Sequence, residues 1–246
     1  MKPIVNKDSL NQIANQYHLN LEITDKEFDQ QFQHLCAAWV KDLFLPSSRV
    51  LEMGYGEGNL TPQLLAAGMQ VDVIEGAELL AHSAREIHGD SIRVHHALFS
   101  EFQPNCEYDV ILATNILEHV ADPSDTLACI HRWCGANTRV VVTVPNASSI
   151  HRRLAVLMGI QPTLSTLSQR DHLVGHLRVY DFEQLTYEVS AAGFEVVGQK
   201  GFLLKVLPNS MMKSMPANLV QALYAIADQL DIRLLADMGL LLKIKP

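Results

Sequence analysis

At 246 residues, 48% hydrophobic and 19% charged, the chain is long enough for one large domain or two small ones. A formal net charge of −8 argues against nonspecific nucleic-acid binding, which asks for a basic face. No apolar run approaches the ~18–20 residues of a membrane helix, and MKPIVNKDSLNQIANQYHLN lacks the apolar core of a signal peptide; a soluble, cytoplasmic protein with no membrane or nucleic-acid partner is expected.

In chain order, the first 45 residues read as helical and precede any strand, placed to cover a ligand edge. Val50 to Met53 is a short apolar run ending in a Gly-rich turn; Leu60 to Ala67 reads as a helix closed by Gly68. Val71 to Ile74, Ile92 to His95, Tyr108 to Thr114 and Arg139 to Val144 are further apolar strands, with helical composition at Ala77 to Ile87 and from Asp122-Pro123 to about Cys134. The rhythm then breaks. Residues 147–180 hold no strand, Ile150 to Met158 looks helical, and Gly159 to Ser168 looks like a loop. Asp181 with Gln184 reads as a capping box for a helix ending at Gly193. Phe194 to Gly198 is a sixth strand, Pro216 to Leu230 a helix, and Gly239 to Ile244 a last strand. The four cysteines, Cys36, Cys106, Cys129 and Cys134, lack CxxC spacing and read as reduced, structural thiols.

Short, almost wholly apolar strands alternating with helices mean an α/β protein with a doubly wound, Rossmann-like parallel sheet. In such sheets ligands sit beyond the carboxyl ends of the strands. The weight therefore falls on VLEMGYGEGNL, residues 50–60. A dinucleotide fingerprint asks for G-x-G-x-x-G. Here Gly54 and Gly56 fit, but the third glycine comes one residue early, at Gly58. Glu75, 17 residues after Gly58, ends the second strand, where a carboxylate can accept both hydroxyls of a ribose.

The E-x-G-x-G-x-G spacing, with YDVILATNILEHVADPSDTL at 108–127 and AAGFEVV at 191–197, resembles the class I S-adenosylmethionine-dependent methyltransferases, in the branch of the ubiquinone-biosynthesis enzymes. The resemblance spans roughly residues 48–146. It implies a seven-stranded sheet with an antiparallel last strand, in a single domain: helical cover 1–45, cofactor core 46–146, lid 147–180 and the rest of the sheet 181–246. It also implies a cofactor, S-adenosyl-L-methionine, that leaves as S-adenosyl-L-homocysteine. Glu52 would receive its ammonium group, Gly54, Gly56 and Gly58 would let the backbone approach, and Glu75 with Gly76 would hold the ribose. Asn115, Ile116 and His119 would line the methionine end. Two positions depart from the pattern. Ala97 and Leu98 stand where an acid usually meets the adenine, and bulky Tyr55 sits between the first two glycines, where it would shape the pocket wall. Tyr17 would cover the cofactor from the N-terminal helix.

The lid carries Arg152, Arg153, Arg170 and Arg178 against one acid, Asp171, a net +3 inside a −8 chain. Arginine forks there would hold an anionic acceptor, with Arg152, Arg153, Arg178 and Tyr180 as its contacts; solvated or lid-pinning arginines would read the same way. His172 and His176 are the general-base candidates, each able also to pin the lid. They are four apart, but Gly175 weakens any helix that would make them metal ligands, and no metal is expected. Met211, Met212 and Met215 offer an adaptable apolar wall or a dimer contact. The reading is O-methylation of a small molecule at a carboxylate or hydroxyl, by a monomer or homodimer. The alternatives are N-methylation of a small amine or peptide, a non-catalytic binding protein of the same fold and, less favoured by the glycine spacing, an NAD enzyme.

Overall fold

The apolar runs become strands buried on both faces. A computed structural model of the chain describes residues 5–23 and 26–245. Residues 1–4, where the stretch read for a signal-peptide core begins, residues 24 and 25 of the expected helical cover, and residue 246 lie outside the described residues. Strands β1 (Arg49–Met53), β2 (Gln70–Glu75), β3 (Ile92–His96), β4 (Val110–Thr114), β5 (Arg139–Pro145), β6 (Phe194–Phe202) and β7 (Asp237–Ile244) form one sheet in the order β3-β2-β1-β4-β5-β7-β6. The pairs from β3 through to β5 are parallel, and β7 runs antiparallel to both β5 and β6. This is the expected seven-stranded sheet with its last strand reversed. Strand β6 runs on past Gly198 to Phe202, through a register irregularity between Val196 and Gly198.

The helices are α1 (Lys7–Ile13), α2 (Glu27–Leu43), α3 (Thr61–Ala66), α4 (Glu78–His88), α5 (Pro123–Trp133), α6 (Ile150–Leu157), α7 (Gln169–Leu173), α8 (Phe182–Ala191), α9 (Asn209–Met212) and α10 (Ala217–Ala225). Their starts follow from local chemistry. Asp122 accepts the Ser124 N–H at 2.9 Å, with Pro123 at the first helical position of α5. Asp181 accepts the Gln184 N–H at 2.7 Å, but the expected box is one-sided: Gln184 Nε2 donates to Glu188 Oε1 at 3.0 Å instead of back to the cap. The helix read from Pro216 stops at Ala225 and gives way to a 3-10 turn, Ala227–Gln229. Helix α1 runs directly into one π turn, Ala14–His18, which buries Ala14 and Tyr17.

Two features position the ligand edge. Chain order reverses between β1 and β4, which opens a crevice beyond their carboxyl ends. At the end of β5, buried Asn146 ties this edge together. Its Nδ2 donates to the carbonyls of Leu235 (2.8 Å) and Arg233 (3.0 Å), its Oδ1 accepts the Ser148 N–H at 2.8 Å, and its own N–H donates to Ala236 O at 2.8 Å. Those bonds fix the entry into β7 against the exit of β5. Asn146→Ala strands buried carbonyls without donors and is expected to destabilise the chain by about 2–4 kcal/mol, read as a fall in the urea midpoint at unchanged slope.

Candidate active site

A cavity of about 1350 Å³ opens at this edge. That exceeds the roughly 300–1,000 Å³ common for single-ligand sites, so a nucleotide-sized molecule and a second ligand fit side by side. The carboxyl ends of β1, β2, β4 and β5 form its floor. Helix α1 with its π turn, the start of α2, and the segment from His151 to Leu177 enclose it.

At one end lies the glycine turn. Gly54, Gly56 and Gly58 all have left-handed backbone, with φ of +76°, +56° and +70°. A Cβ on Gly56 would meet only His18 Cε1, 3.9 Å away, so it would stand in the cavity itself. Gly58 answers a different need. It does not line the cavity, and a Cβ there would meet the Tyr55 hydroxyl at 2.3 Å. The Tyr55 ring turns under the turn into the core and its hydroxyl reaches His88 Nε2 at 3.1 Å, so its backbone, not its ring, faces the ligand side. Glu75 stitches the turn to β2: Oε2 accepts the Tyr55 N–H at 2.8 Å and Oε1 the Ala77 N–H at 2.7 Å. The N–H groups of Gly56 and Gly76 also point toward this carboxylate, and burial raises its pKa against them. Glu52, one residue before the end of β1, takes the Thr61 hydroxyl at 2.6 Å; burial pushes its carboxyl up to about 8. Gly76, Ala97 and Leu98 line the next stretch of wall. Asn115 follows β4 with φ +53°, a backbone that Asn tolerates, and its Oδ1 accepts the Thr143 hydroxyl at 2.8 Å.

Further along, one carboxylate organises the lid. Asp171 Oδ2 accepts from Arg152 Nη2 at 2.7 Å, and Oδ1 faces His176 Nδ1 at 2.9 Å. Burial raises Asp171, but the His176 hydrogen bond and the Arg152 charge outweigh it and hold the carboxyl well below its usual range. The His176 ring meets His119 edge-on, centroids 4.7 Å apart. Burial, then the neighbouring His176 and His18, keep His119 well below its ordinary value, so it stays neutral. Beneath them, fully buried Glu118 finds no hydrogen-bond partner for either carboxylate oxygen, and burial pushes it well up, toward the protonated form. Among the described residues Glu118, His119 and His176 are the group whose ligand atoms lie close enough, within 4.8 Å, to hold a metal ion.

Comparison with known proteins decides the family. Residues 28–199 match the model of the methyltransferase domain. The chain belongs to the methyltransferase family. It is similar to the ubiquinone biosynthesis O-methyltransferase of Aromatoleum aromaticum, 31% identical over 54% of this chain and 59% of the relative. To the enzyme of that name in Bordetella pertussis it is 29% identical, over 73% of this chain and 76% of the relative. An uncharacterized methyltransferase of Geobacillus is 33% identical over 44% and 52%, so the matched stretch spans little more than half of two of these relatives. Among solved structures, the Burkholderia thailandensis 1,6-didemethyltoxoflavin-N1-methyltransferase, with S-adenosylhomocysteine bound, has the same fold (TM-score 0.62, 17% identity, 99% of this chain and 92% of that one). So does the magnesium protoporphyrin IX methyltransferase of Synechocystis, also with bound S-adenosylhomocysteine (TM-score 0.60, 16% identity, 98% of both chains). The sheet order and the reversed last strand are thus those of a class I, S-adenosylmethionine-dependent methyltransferase.

Within this methyltransferase the residues read as acceptor contacts have other partners, and of Arg152, Arg153, Arg178 and Tyr180 only Arg152 lines the cavity. Arg152 is buried and spent on Asp171 and on the carbonyls of Leu164 (3.2 Å) and Thr166 (2.9 Å). Arg178 donates to the carbonyls of Leu117 (2.7 Å), Val120 and Ala121 (3.3 Å), pinning the loop after β4. Arg153 is exposed, off the cavity, and bonds Ser148 O at 2.6 Å. Tyr180 is fully buried away from the cavity, its hydroxyl on Glu188 Oε2 at 3.1 Å. The fourth lid arginine, Arg170, meets Asp29 at 2.7 Å and the Tyr17 hydroxyl at 2.6 Å, and that hydroxyl also bonds Asp29, so Tyr17 lines the cavity as part of a clamp between N-terminal cover and lid. His172 and His176 share no helix face: α7 ends at Leu173 and Gly175 turns left-handed, φ +85°. Both line the cavity, but His172 is exposed and among the described residues has no carboxylate bonded to its ring. Met211 is exposed and Met212 buried, and neither reaches the cavity.

Residues that sequence reasoning passed over also line the cavity: His18, which burial pushes down to about 4 and whose Nδ1 has no hydrogen-bond partner, then Lys205 and Asp237. Asp171 was noted only as the one acid opposing the lid arginines. The contrast between the lid arginines gives a test. Arg152→Ala abandons a buried carboxylate and two carbonyls and is expected to cost about 3–5 kcal/mol of stability, whereas Arg153→Ala stays within about 0.5 kcal/mol by urea denaturation.

Proposed function

We propose that the chain transfers the methyl group of S-adenosyl-L-methionine to a hydroxyl oxygen of a small-molecule acceptor. The observation that carries the reading is the Asp171–His176 pair, which faces the same cavity as the glycine turn. A hydrogen bond to an ionised carboxylate places the ring proton on Nδ1 and leaves Nε2 as an acceptor. A hydroxyl has a high pKa and needs such a base as its oxygen attacks. A carboxylate would not, so the dyad favours the hydroxyl of the two oxygen acceptors. The O-methyltransferase names of the relatives agree.

The cofactor supplies an electrophilic sulfonium methyl; the residues supply position and proton handling. Glu52 is the partner for its ammonium group, and Glu75, at the cavity wall, is the acceptor for ribose hydroxyls. Leu98 and Phe99 give the adenine an apolar wall in place of an acid. The backbone of Gly54 and Gly56 provides the close approach that Gly58 does not. As the new O–C bond forms and the S–C bond breaks, the hydroxyl proton passes to His176 Nε2. Asp171 holds the ring and stabilises the resulting imidazolium. Neutral His119 packs against it and adds no charge to repel the proton.

The reading is tested by transfer of labelled methyl from S-adenosylmethionine to a panel of phenols and hydroxy acids. His176→Asn is expected to lower turnover about 10²–10⁴-fold while S-adenosylhomocysteine still raises the melting temperature. Prior dialysis against a chelator should leave turnover unchanged; its loss would hand the Glu118, His119 and His176 cluster to a metal ion. No labelled product across the panel, with no thermal shift by the cofactor, removes the reading.

Glu52 supplies a second test. With its carboxyl at about 8 it carries a proton at pH 7, and a neighbouring ammonium favours the ionised form. Cofactor binding at pH 7 should therefore release a proton, seen as a dependence of the calorimetric enthalpy on the buffer. Glu52→Gln is expected to abolish that dependence and to weaken binding about tenfold. An enthalpy independent of buffer in the unaltered protein would remove Glu52 from this contact.

A further inference from the structure

The cavity wall also holds residues to which the cofactor reading gives no role. There the exit of β6 supplies Lys205, the first residue of β7 supplies Asp237, and α2 supplies Phe28 and Phe32. Lys205 is half-buried, its Nζ 5.7 Å from the centroid of the Phe28 ring, and among the described residues its ammonium makes no hydrogen bond or ion pair. The other charged groups here are already engaged. Arg170 holds Asp29, Arg152 holds Asp171, and His151 is kept neutral by burial and by the nearby Lys205 and Arg152. Lys205 is thus the cation here whose charge is not tied to a carboxylate within ion-pair distance. Asp237 lies near it at the start of β7; burial pushes Asp237 up to about 7, opposed by the Lys205 charge.

We propose that Lys205 anchors the acceptor: its ammonium binds an anionic oxygen, a phenolate or a carboxylate, carried on an apolar body that packs against Phe28 and Phe32. A charge-assisted hydrogen bond against aromatic side chains is a strong, directional contact, and an ammonium with no carboxylate at hydrogen-bond distance gains most from it. Asp237 sets the balance. Protonated, it donates to the same oxygen; ionised, it competes for Lys205 and repels the ligand. The anionic acceptor expected from the lid arginines is thereby moved to a lysine outside the lid, three residues past the end of β6. The inference rests on the methyl-transfer reading for which ligand meets Lys205, but its test reads binding alone.

The probes are benzoate, its neutral isostere benzamide, and 4-nitrophenol, each titrated calorimetrically into the protein saturated with S-adenosylhomocysteine. The unaltered protein should bind benzoate and not benzamide. The absorbance of 4-nitrophenol should show its ionisation shifted to lower pH on binding; that arm separates a phenolate site from a carboxylate site. Lys205→Met should weaken the anionic probe about 10–100-fold, Lys205→Arg should restore part of the affinity, and Asp237→Asn should tighten it, all with the S-adenosylhomocysteine affinity unchanged. Benzamide matching benzoate, equal anion binding in Lys205→Met, or no binding of either anionic probe overturns the proposal. Loss of the S-adenosylhomocysteine signal in the unaltered protein strikes the methyltransferase reading instead.

Discussion

The site depends on a single carboxylate. Asp171 caps its own short helix by accepting the Ser168 N–H at 2.7 Å, grips Arg152 of α6 with the same oxygen, and orients His176 with the other. Through Arg152 it also fixes the loop carbonyls of Leu164 and Thr166. From His176 the chain runs on to Leu177, whose N–H donates to Glu118 O at 2.8 Å, and to Arg178, which collects three carbonyls of the loop after β4. Lid, proposed base and cofactor-side loop are therefore one hydrogen-bonded unit. Burying a charge pair is costly, and it persists where further hydrogen bonds satisfy both partners, as they do here.

The surrounding ionisable groups are driven toward their neutral forms. Burial pushes Glu52 up to about 8 and Asp237 up to about 7, raises Glu118 well above its ordinary value, and lowers His18 to about 4. Burial lowers Lys205 in the same sense, and the exception is Asp171, held ionised. A cavity of this kind suits a reaction in which positive charge leaves a sulfonium and reappears on the His176 ring, where ionised Asp171 is already in place to meet it. The same burial makes cofactor recognition at Glu52 a proton-linked event, since a carboxyl neutral by desolvation ionises only beside a cation.

Much of this was legible in the sequence, for definite reasons. Strand order and helix starts follow from apolar runs and caps such as Asp122-Pro123, which are local signals. The glycine turn was read from spacing, which reports backbone needs; it could not separate Gly56, facing the cavity, from Gly58, cleared for the Tyr55 ring. The lid arginines misled because a charge count carries no information about partners. Arg178 is satisfied by backbone carbonyls, which every sequence has and no sequence displays, and Arg152 by the lone acid that the count had set against it. Tyr180, an aromatic beside a lid motif, is a core residue anchored to Glu188.

Lys205 and Asp237 escaped notice because of direction. Attention to the carboxyl ends of strands is correct for parallel ones, where Glu52, Glu75 and Asn115 lie. An antiparallel strand inverts the rule: β7 pairs with β5 so that Asp237 lies opposite Pro145, and its first residue, not its last, reaches the ligand edge. Strand β6 runs with the parallel strands and delivers Phe202 opposite the same Asp237, three residues before Lys205. Once a reversed last strand is expected, an acid opening it and a base just beyond the strand before it are neighbours at the ligand edge. That pairing of opposite charges, set by topology and not by any local motif, is where the sheet brings acceptor recognition within reach of the cofactor crevice.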